Sequence, residues 1–381
     1  MATQFKLLHP GDISPALWQD FAAVRNLSTR YDSPFFDPDF ARLVSEVRED
    51  TRMGIVEDSG ALVGYWPLHA RSGGWARPIG GPFSDWHAPI LHPDMHISPG
   101  SFLRGLGLTG FTGFGFKSRP QDGHANMSRA GANLAILNTD WQDYINTQQE
   151  YWPKHFKKMR RVYRKAKQDF SQSLFMWDDR SALHFDRLMT MKRMQYKSTG
   201  LHDVLKADWA RKLIDRLRHF EGPRLRSRQS TLLFDGEFVA SEFNLQSDRV
   251  LHGWLVGFDY KFSAYSPGYM LVQEILQAMC ADGLKIYDMG PGEDCYKRHY
   301  TNIQTAMDVG VITGRSAPFS PIRTFGKLWR GGEKLLPVRI AENMARLRRR
   351  ADQIILAETE YDARLAGLGY AFQKRAFKST H

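Results

Sequence analysis

The stretch from Ser230 to Gly290, STLLFDGEFVASEFNLQSDRVLHGWLVGFDYKFSAYSPGYMLVQEILQAMCADGLKIYDMG, decides the fold. Three runs rich in β-branched and aromatic residues, STLLF, EFVASEFNLQ and VLHGWLVGF, are separated by Asp235-Gly236 and Ser247-Asp248-Arg249. Asp-Gly between such runs favours a tight hairpin, so the pattern predicts a three-stranded antiparallel meander. The apolar helix GYMLVQEILQAMCADG and the short strand LKIYDMG follow. Upstream, SLFMW reads as a strand and the segments Ala182 to Ser198 and Lys206 to Phe220 as helices; downstream, MDVGVIT reads as a closing strand. The order is strand, two helices, meander, helix, strand, an α/β (α+β) unit with a largely antiparallel mixed sheet.

Working outward, residues 1–145 alternate short strands and helices. MGIVEDSGALVGYWPLHA is a hairpin around Asp58, Ser59 and Gly60, and GFTGFGF and LAILN are further strands. Residues 151–170 carry eight Lys/Arg against Asp169 alone. Trp152, Phe156, Met159, Tyr163, Ala166 and Phe170 recur at helical spacing, which makes this a basic amphipathic helix at a domain junction. Ser316 to Pro321 breaks regular structure, and beyond it a tail with helical periodicity carries Arg346, Arg348, Arg349 and Arg350. The predicted organisation is 1–145, 146–315 and a tail over 316–381.

The formal net charge of +11, from 52 Lys/Arg and 41 Asp/Glu, is concentrated in that helix and that tail. The rest of the chain is near neutral, which argues against a nucleic-acid coat, and no DNA partner is expected. The opening MATQFKLLHPGD lacks a signal-peptide core, and no run of about 18 apolar residues occurs. The sequence therefore predicts a cytoplasmic protein, at most peripheral to the inner membrane. Cys280 and Cys295 are too few for a disulfide framework or a zinc site, so reduced thiols and no metal are expected.

Chemistry concentrates between the meander and Tyr300. Ser266-Pro267-Gly268 leads directly into a helix, which predicts unpaired N–H donors at Gly268, Tyr269, Met270 and Leu271, and such a helix start attracts phosphate. His252 and Trp254, two apart on a strand, share a face that can line a channel. Asp85, Trp86 and His87 form a polar and aromatic cluster in a Gly/Pro-rich loop suited to a sugar. On the basic helix, Arg160, Arg161 and Arg164 suit phosphate groups of an acceptor.

The segment Gly257 to Tyr300, with its Tyr-Ser-Pro-Gly loop, Tyr287-Asp288-Met289-Gly290 and closing Gly-Glu-Asp-Cys-Tyr-Lys, resembles the C-terminal signature of the CelD/BcsL-type GNAT proteins implicated in bacterial polysaccharide synthesis. The upstream KKMRRVYRKAK is similar to that family's basic helix, and the resemblance spans about residues 150 to 315. It implies two tandem GNAT-like domains, the first degenerate, distantly similar to Fem-type transferases. It also implies acetyl-CoA as co-substrate, bound by Ser266, Pro267, Gly268, Tyr269 and Met270, and direct transfer to an amino-sugar acceptor that is free or linked to a lipid or nucleotide. In that setting Lys297, which aligns with the Tyr-Lys ending of the motif, is expected to stabilise the oxyanion. Asp288 or Glu293 would take the amine proton, and Tyr296 would protonate the leaving thiolate. Two alternatives stay open: a Fem-like enzyme using aminoacyl-tRNA, and a catalytically silent regulator whose Arg-rich tail binds an anionic membrane surface or a regulatory nucleotide.

Overall fold

The computed structural model describes residues 3–119, 122, 127–292, 297–314 and 350–376. Its centre is one 13-stranded mixed sheet. The strands are β1 (Gln4–Leu8), β2 (Thr51–Asp58), β3 (Ala61–Arg71), β4 (Trp75–Pro78), β5 (Ile90–Leu91), β6 (Gly110–Phe116), β7 (Met127–Ile136), β8 (Ser173–Met176), β9 (Arg226–Phe234), β10 (Glu237–Gln246), β11 (Val250–Phe258), β12 (Ile286–Pro291) and β13 (Ile303–Thr313). Across the sheet they run β1-β2-β3-β4-β6-β13-β7-β12-β11-β10-β9-β8, with β5 on β3.

Local chemistry accounts for the hairpins. Ser59-Gly60 and Asp235-Gly236 both have positive φ, at 51° and 86° and at 46° and 79°. That is the backbone of a two-residue turn whose twist matches its flanking strands. The meander β9-β10-β11 forms as expected, with an irregularity between Phe243 and Asn244 that leaves Trp254 without a partner in the ladder.

The helices are α1 (Pro15–Asn26), α2 (Pro38–Ser45), α3 (Pro99–Gly105), α4 (Trp141–Tyr151), α5 (Pro153–Asp169), α6 (Ala182–Thr199), α7 (Asp208–His219) and α8 (Pro267–Asp282), followed by a helical stretch over 350–357 and a closing helix Tyr361–Ala376. Pro at the first helical position recurs in α1, α2, α3, α5 and α8, where its missing N–H leaves no intrahelical bond unmade. On α5, Phe156, Met159, Val162 and Ala166 are buried while Arg160, Arg161 and Arg164 are exposed. The basic amphipathic helix is thus present, its apolar stripe packed with α8 in one core.

The two faces of the sheet across β10, β11 and β12 meet different cores. Leu251 and Tyr287 join the core shared with α5 and α8. Phe243 and Leu255 join another that contains residues of α1, α2, α6 and α7. Strand alternation then sends His252 and Asp288 to this second side, toward the N-terminal half of the chain.

Topology ties the halves together. β13 comes from the end of the C-terminal half, yet it lies between β6 and β7, pairing Asp308 to Thr313 with β6 and Ile303 to Gly310 with β7. β7 in turn pairs with β12. Of the tail, Arg346, Arg348 and Arg349 lie outside the described residues, and so does the Ser316–Pro321 break. Among the described residues no helix is long and apolar enough to cross a membrane.

Candidate functional site

The loop between β4 and β5 is held against β6 by backbone bonds. The His87 amide donates to Gly115 O at 2.9 Å and the Lys117 amide to His87 O at 2.8 Å. Gly115, with φ of 73°, lies so close that a Cβ there would stand 1.9 Å from Asp85 O. Only glycine combines that backbone with that approach. So clamped, the loop projects Asp85 and Trp86 toward β11 and β12.

There four groups meet. His252 Nε2 is 3.1 Å from Asp85 Oδ2 and its Nδ1 is 3.3 Å from Asp288 Oδ2. The Trp86 indole N–H donates to Asp288 Oδ2 at 2.6 Å, and the Gly290 amide donates to Asp288 Oδ1 at 2.8 Å. Burial pulls the His252 pKa down, but the Asp288 and Asp85 carboxylates overcome it and hold the ring up at about 10. Burial would raise Asp288; the imidazolium, the indole N–H and the Gly290 amide outweigh it and hold that carboxyl below its ordinary range. At neutral pH the cluster is a buried cation between two carboxylates.

These facts redistribute the expected roles. Asp288 is fully engaged and ionised, which makes it a poor proton acceptor and a strong brace. Asp85 is the member open to an incoming group, its side chain 22% exposed against 4% for Asp288. Gly290, at φ 69°, brings β12 under it; a Cβ there would be 2.8 Å from Asp85 Oδ2.

His87 turns inward rather than to the cluster. Its Nε2 lies 2.9 Å from Ser84 O, and burial pushes its pKa down to about 3, so it is a neutral structural ring. Trp254 faces the same loop as His252, its indole N–H donating to Phe83 O at 2.6 Å. Lys297 is buried and its ammonium donates to Pro291 O at 2.9 Å, fixing the last carbonyl of β12. Glu293 and Tyr296 lie outside the described residues.

Two groups near the cluster went unnoticed in the sequence. Lys117 stands 5.4 Å from the centre of the Trp86 ring, pushed down to about 8 by burial and by Arg30. Glu242 is fully buried on the α8 side and accepts from the Tyr287 hydroxyl at 2.6 Å. Burial pushes its carboxyl above the ordinary range. A single lysine after GFGF and a single glutamate in a strand carry no motif, so only the pairing of distant elements exposes them.

Beside the cluster the sheet opens. The parallel ladder between β11 and β12 runs from Val250↔Ile286 to His252↔Asp288. β11 then continues to Phe258 on β10, whereas β12 stays with β7 through Pro291↔Ala132. The edge of β11 after His252 thereby leaves the β12 ladder and offers backbone donors and acceptors to a ligand.

α8 starts just beyond β11. Ser266, its N-cap, is left-handed at φ 50°, and the space where a Gly268 Cβ would stand is open. The expected set of free donors is smaller than the sequence suggested, because the Tyr269 and Met270 amides both bond to Ser266 O, at 3.0 and 3.3 Å. Pro267 is buried and sets the turn. Next to this start His155 stacks on His299, with ring centres 4.0 Å apart, and touches Tyr269 at 4.8 Å. Arg160, Arg161 and Arg164 belong to this α8 side and not to the His252 cluster. Among the described residues no group of His, Cys, Asp and Glu is arranged to hold a metal ion.

Comparison with known proteins agrees with this geometry at the level of fold. No curated protein sequence matches the chain. A crystal structure of FemX aligns with TM-score 0.50 at 10% identity, covering 81% of this chain and 97% of that one. A tandem GNAT protein from the clavulanic acid biosynthesis pathway aligns with TM-score 0.47 at 11% identity, covering 83% and 100%. A conserved protein of unknown function from Bacteroides thetaiotaomicron aligns with TM-score 0.46 at 12% identity, covering 78% and 98%. Residues 153–298, the stretch from α5 through the strand opening, match the family model described as an acetyltransferase (GNAT) domain.

Proposed function

We propose that the protein is an acyl-CoA-dependent N-acyltransferase that acetylates the amino group of a sugar in a cell-surface or exopolysaccharide precursor. The observation that carries this reading is the parting of β11 from β12 directly after His252↔Asp288, with α8 beginning at the open end. The residues there fit the donor. The β11 edge suits the amides of a pantetheine arm, and the open face of Gly268 lets a pyrophosphate approach the positive end of α8. When bound, acyl-CoA supplies the activated thioester.

The chain's own contribution is positioning and proton handling. Asp85 receives the acceptor amine and takes its proton as the C–N bond forms and the C–S bond breaks, leaving the thiolate to be protonated from solvent. His252, charged on both sides, keeps Asp85 aimed over Gly290. Trp86 is buried beneath the site and braces Asp288 through its indole N–H. The exposed Lys/Arg face of α5, on the α8 side of the sheet, suits phosphate groups of the bound donor.

Thiol release from acetyl-CoA in the presence of free and nucleotide-linked amino sugars tests this. Saturable, acceptor-dependent release is expected, and Asp85→Asn should lower kcat by about 100-fold or more while leaving donor binding intact. Absence of acetyl-CoA binding to the folded protein sinks the proposal. Transfer from aminoacyl-tRNA with acetyl-CoA inert would replace it by a Fem-like reaction, for which the exposed basic face of α5 is the supporting feature.

A further inference from the structure

The C-terminal segment reaches the loop that carries Asp85. Its helical stretch over 350–357 is docked on the body, with Ile354, Leu356 and Ala357 at most 2% exposed. The last carbonyls of a helix lack intrahelical partners, and here two buried side chains of the body supply donors to them. The Trp209 indole N–H donates to Ala357 O at 2.7 Å, and Arg48 Nη1 to Leu356 O at 3.3 Å. Arg48 is fixed in turn by Asp50, through bonds of 2.9 and 2.7 Å, and its guanidinium lies 4.6 Å from the centre of the Trp209 ring. Nearer the start of the stretch, Asp352 pairs at 3.2 Å with the buried Arg77, close to the end of β4.

These contacts bear on the loop from Ile79 to Asp85. Leu356 lies over the backbone of Gly81, where a Cβ would stand 3.4 Å from Leu356 Cδ2. Trp209 packs edge-on against Phe83, with ring centres 5.6 Å apart. Phe83 is two residues before Asp85, and its carbonyl accepts the Trp254 indole N–H at 2.6 Å. Within the loop, the Gly80 amide donates to His69 Nε2 at 3.0 Å and the Ser84 hydroxyl donates to Ile79 O. The loop is thus gripped between β11 on one side and Trp209, backed by the C-terminal stretch, on the other. Its end at His87 is held by β6, whereas its first half leans on Leu356 and on the tryptophan that Ala357 orients.

We propose that residues 350–357 are part of the transfer site, positioning Asp85 through the loop they back. Asp85 must stand within hydrogen-bond reach of an acceptor amine to take its proton, and a displacement of about 1 Å at such a group costs about 100-fold in rate. Leu356 and Trp209 act on the reaction only through that loop, so they are positioning residues. The demand on turnover rests on the role proposed for Asp85, whereas the dependence of the loop on the C-terminal stretch does not. A segment that reads in the sequence as a separate tail thereby becomes a condition for activating the acceptor.

Three full-length variants test it. Trp209→Phe keeps an aromatic ring against Phe83 but loses the bond to Ala357 O, and Leu356→Ala opens space over Gly81. Leu103→Ala removes an equally buried leucine on α3, which packs against Gly314 beyond the end of β13. Hydrogen exchange of the loop over 79–88 should quicken about ten-fold in the first two, the effect of losing about one hydrogen bond's worth of local stability. In Leu103→Ala it should stay as in wild type. With acetyl-CoA and an amino-sugar acceptor, kcat should fall about ten-fold or more in Trp209→Phe and Leu356→Ala. The KM for acetyl-CoA should not change, because α8 and the β11 edge are untouched, and Leu103→Ala should turn over as wild type. Wild-type exchange in both loop variants, equally fast exchange in Leu103→Ala, or fast exchange with wild-type kcat overturns the proposal. Faster exchange confined to the two loop variants in a protein that does not use acetyl-CoA would uphold the hold of the C-terminal stretch on the loop and remove only the acetyl-transfer reading.

Discussion

His252 shows how a single side chain joins two halves of a molecule. The ring is fully buried and charged, which is tolerable only because each nitrogen faces a carboxylate, one from the loop at Asp85 and one from β12. Its folded pKa of about 10 lies above the ordinary 6.5, so the proton-linked stability is complete below about pH 6.5 and is lost as pH rises through 10. His252→Gln should be less stable by about 3 kcal/mol near neutrality, because it leaves buried carboxylates without their cation. The difference from wild type, read as urea midpoints across pH 7 to 10.5, should shrink steadily; a constant difference would mean that the ring is neutral in the folded state.

Much of this cluster was legible at the level of residue types. A Ser-Asp-Trp-His loop among glycines marked Asp85 and Trp86, the period of VLHGWLVGF marked His252, and the end of LKIYDMG marked Asp288. What the sequence does not carry is their meeting, since Trp86 and Asp288 are 202 positions apart. Nor does it reveal which carboxylate stays open to an acceptor. That depends on burial, and burial left Asp85 accessible while sealing Asp288.

At the scale of elements, the position of Asp85 is set by a loop that is itself fixed by β6. Gly115 is the hinge pin of that arrangement. Alanine there would meet both an unfavourable φ of 73° and the Asp85 carbonyl at 1.9 Å, where backbone cannot yield as a side-chain end can. Gly115→Ala should therefore cost about 3 kcal/mol and displace Asp85 and Trp86, reducing Trp86 burial as seen by fluorescence quenching. Gly236→Ala, in a turn with nothing within 4 Å, serves as the comparison for strain without contact. Equal losses in both variants would refute the packing argument. The hairpins, the meander and α8 were readable because turn residues and periodicity act locally. The first turn of α8 was read too generously, since a left-handed Ser266 folds its own carbonyl back onto the Tyr269 and Met270 amides.

For the whole molecule, the decisive feature is the order of strands. Composition shifts and the Pro-rich break suggested units over 1–145 and 146–315 and a tail, and periodicity correctly marked MDVGVIT as a strand. No local signal announces that this strand inserts between β6 and β7. Because it does, a fragment of residues 1–145 would expose the edges of β6 and β7, and one of 146–381 would leave β12 without β7 and β13 without either partner. Each fragment alone is expected to be insoluble or unfolded by circular dichroism, while co-expression should recover a folded pair. The intact chain should unfold in one cooperative transition that includes both halves; two well-separated transitions would contradict the shared sheet.

The place of β13 also sets a timetable for synthesis. When the ribosome has made β6 and β7, the strand that belongs between them is still about 180 residues away. At about 5–20 residues per second, those two edges wait roughly 10 to 35 s for their partner. During that interval the nascent N-terminal half is a template for wrong pairing, so the yield of folded protein should depend on holdase chaperones and on translation speed across β8 to β12 more than on the stability of the finished molecule.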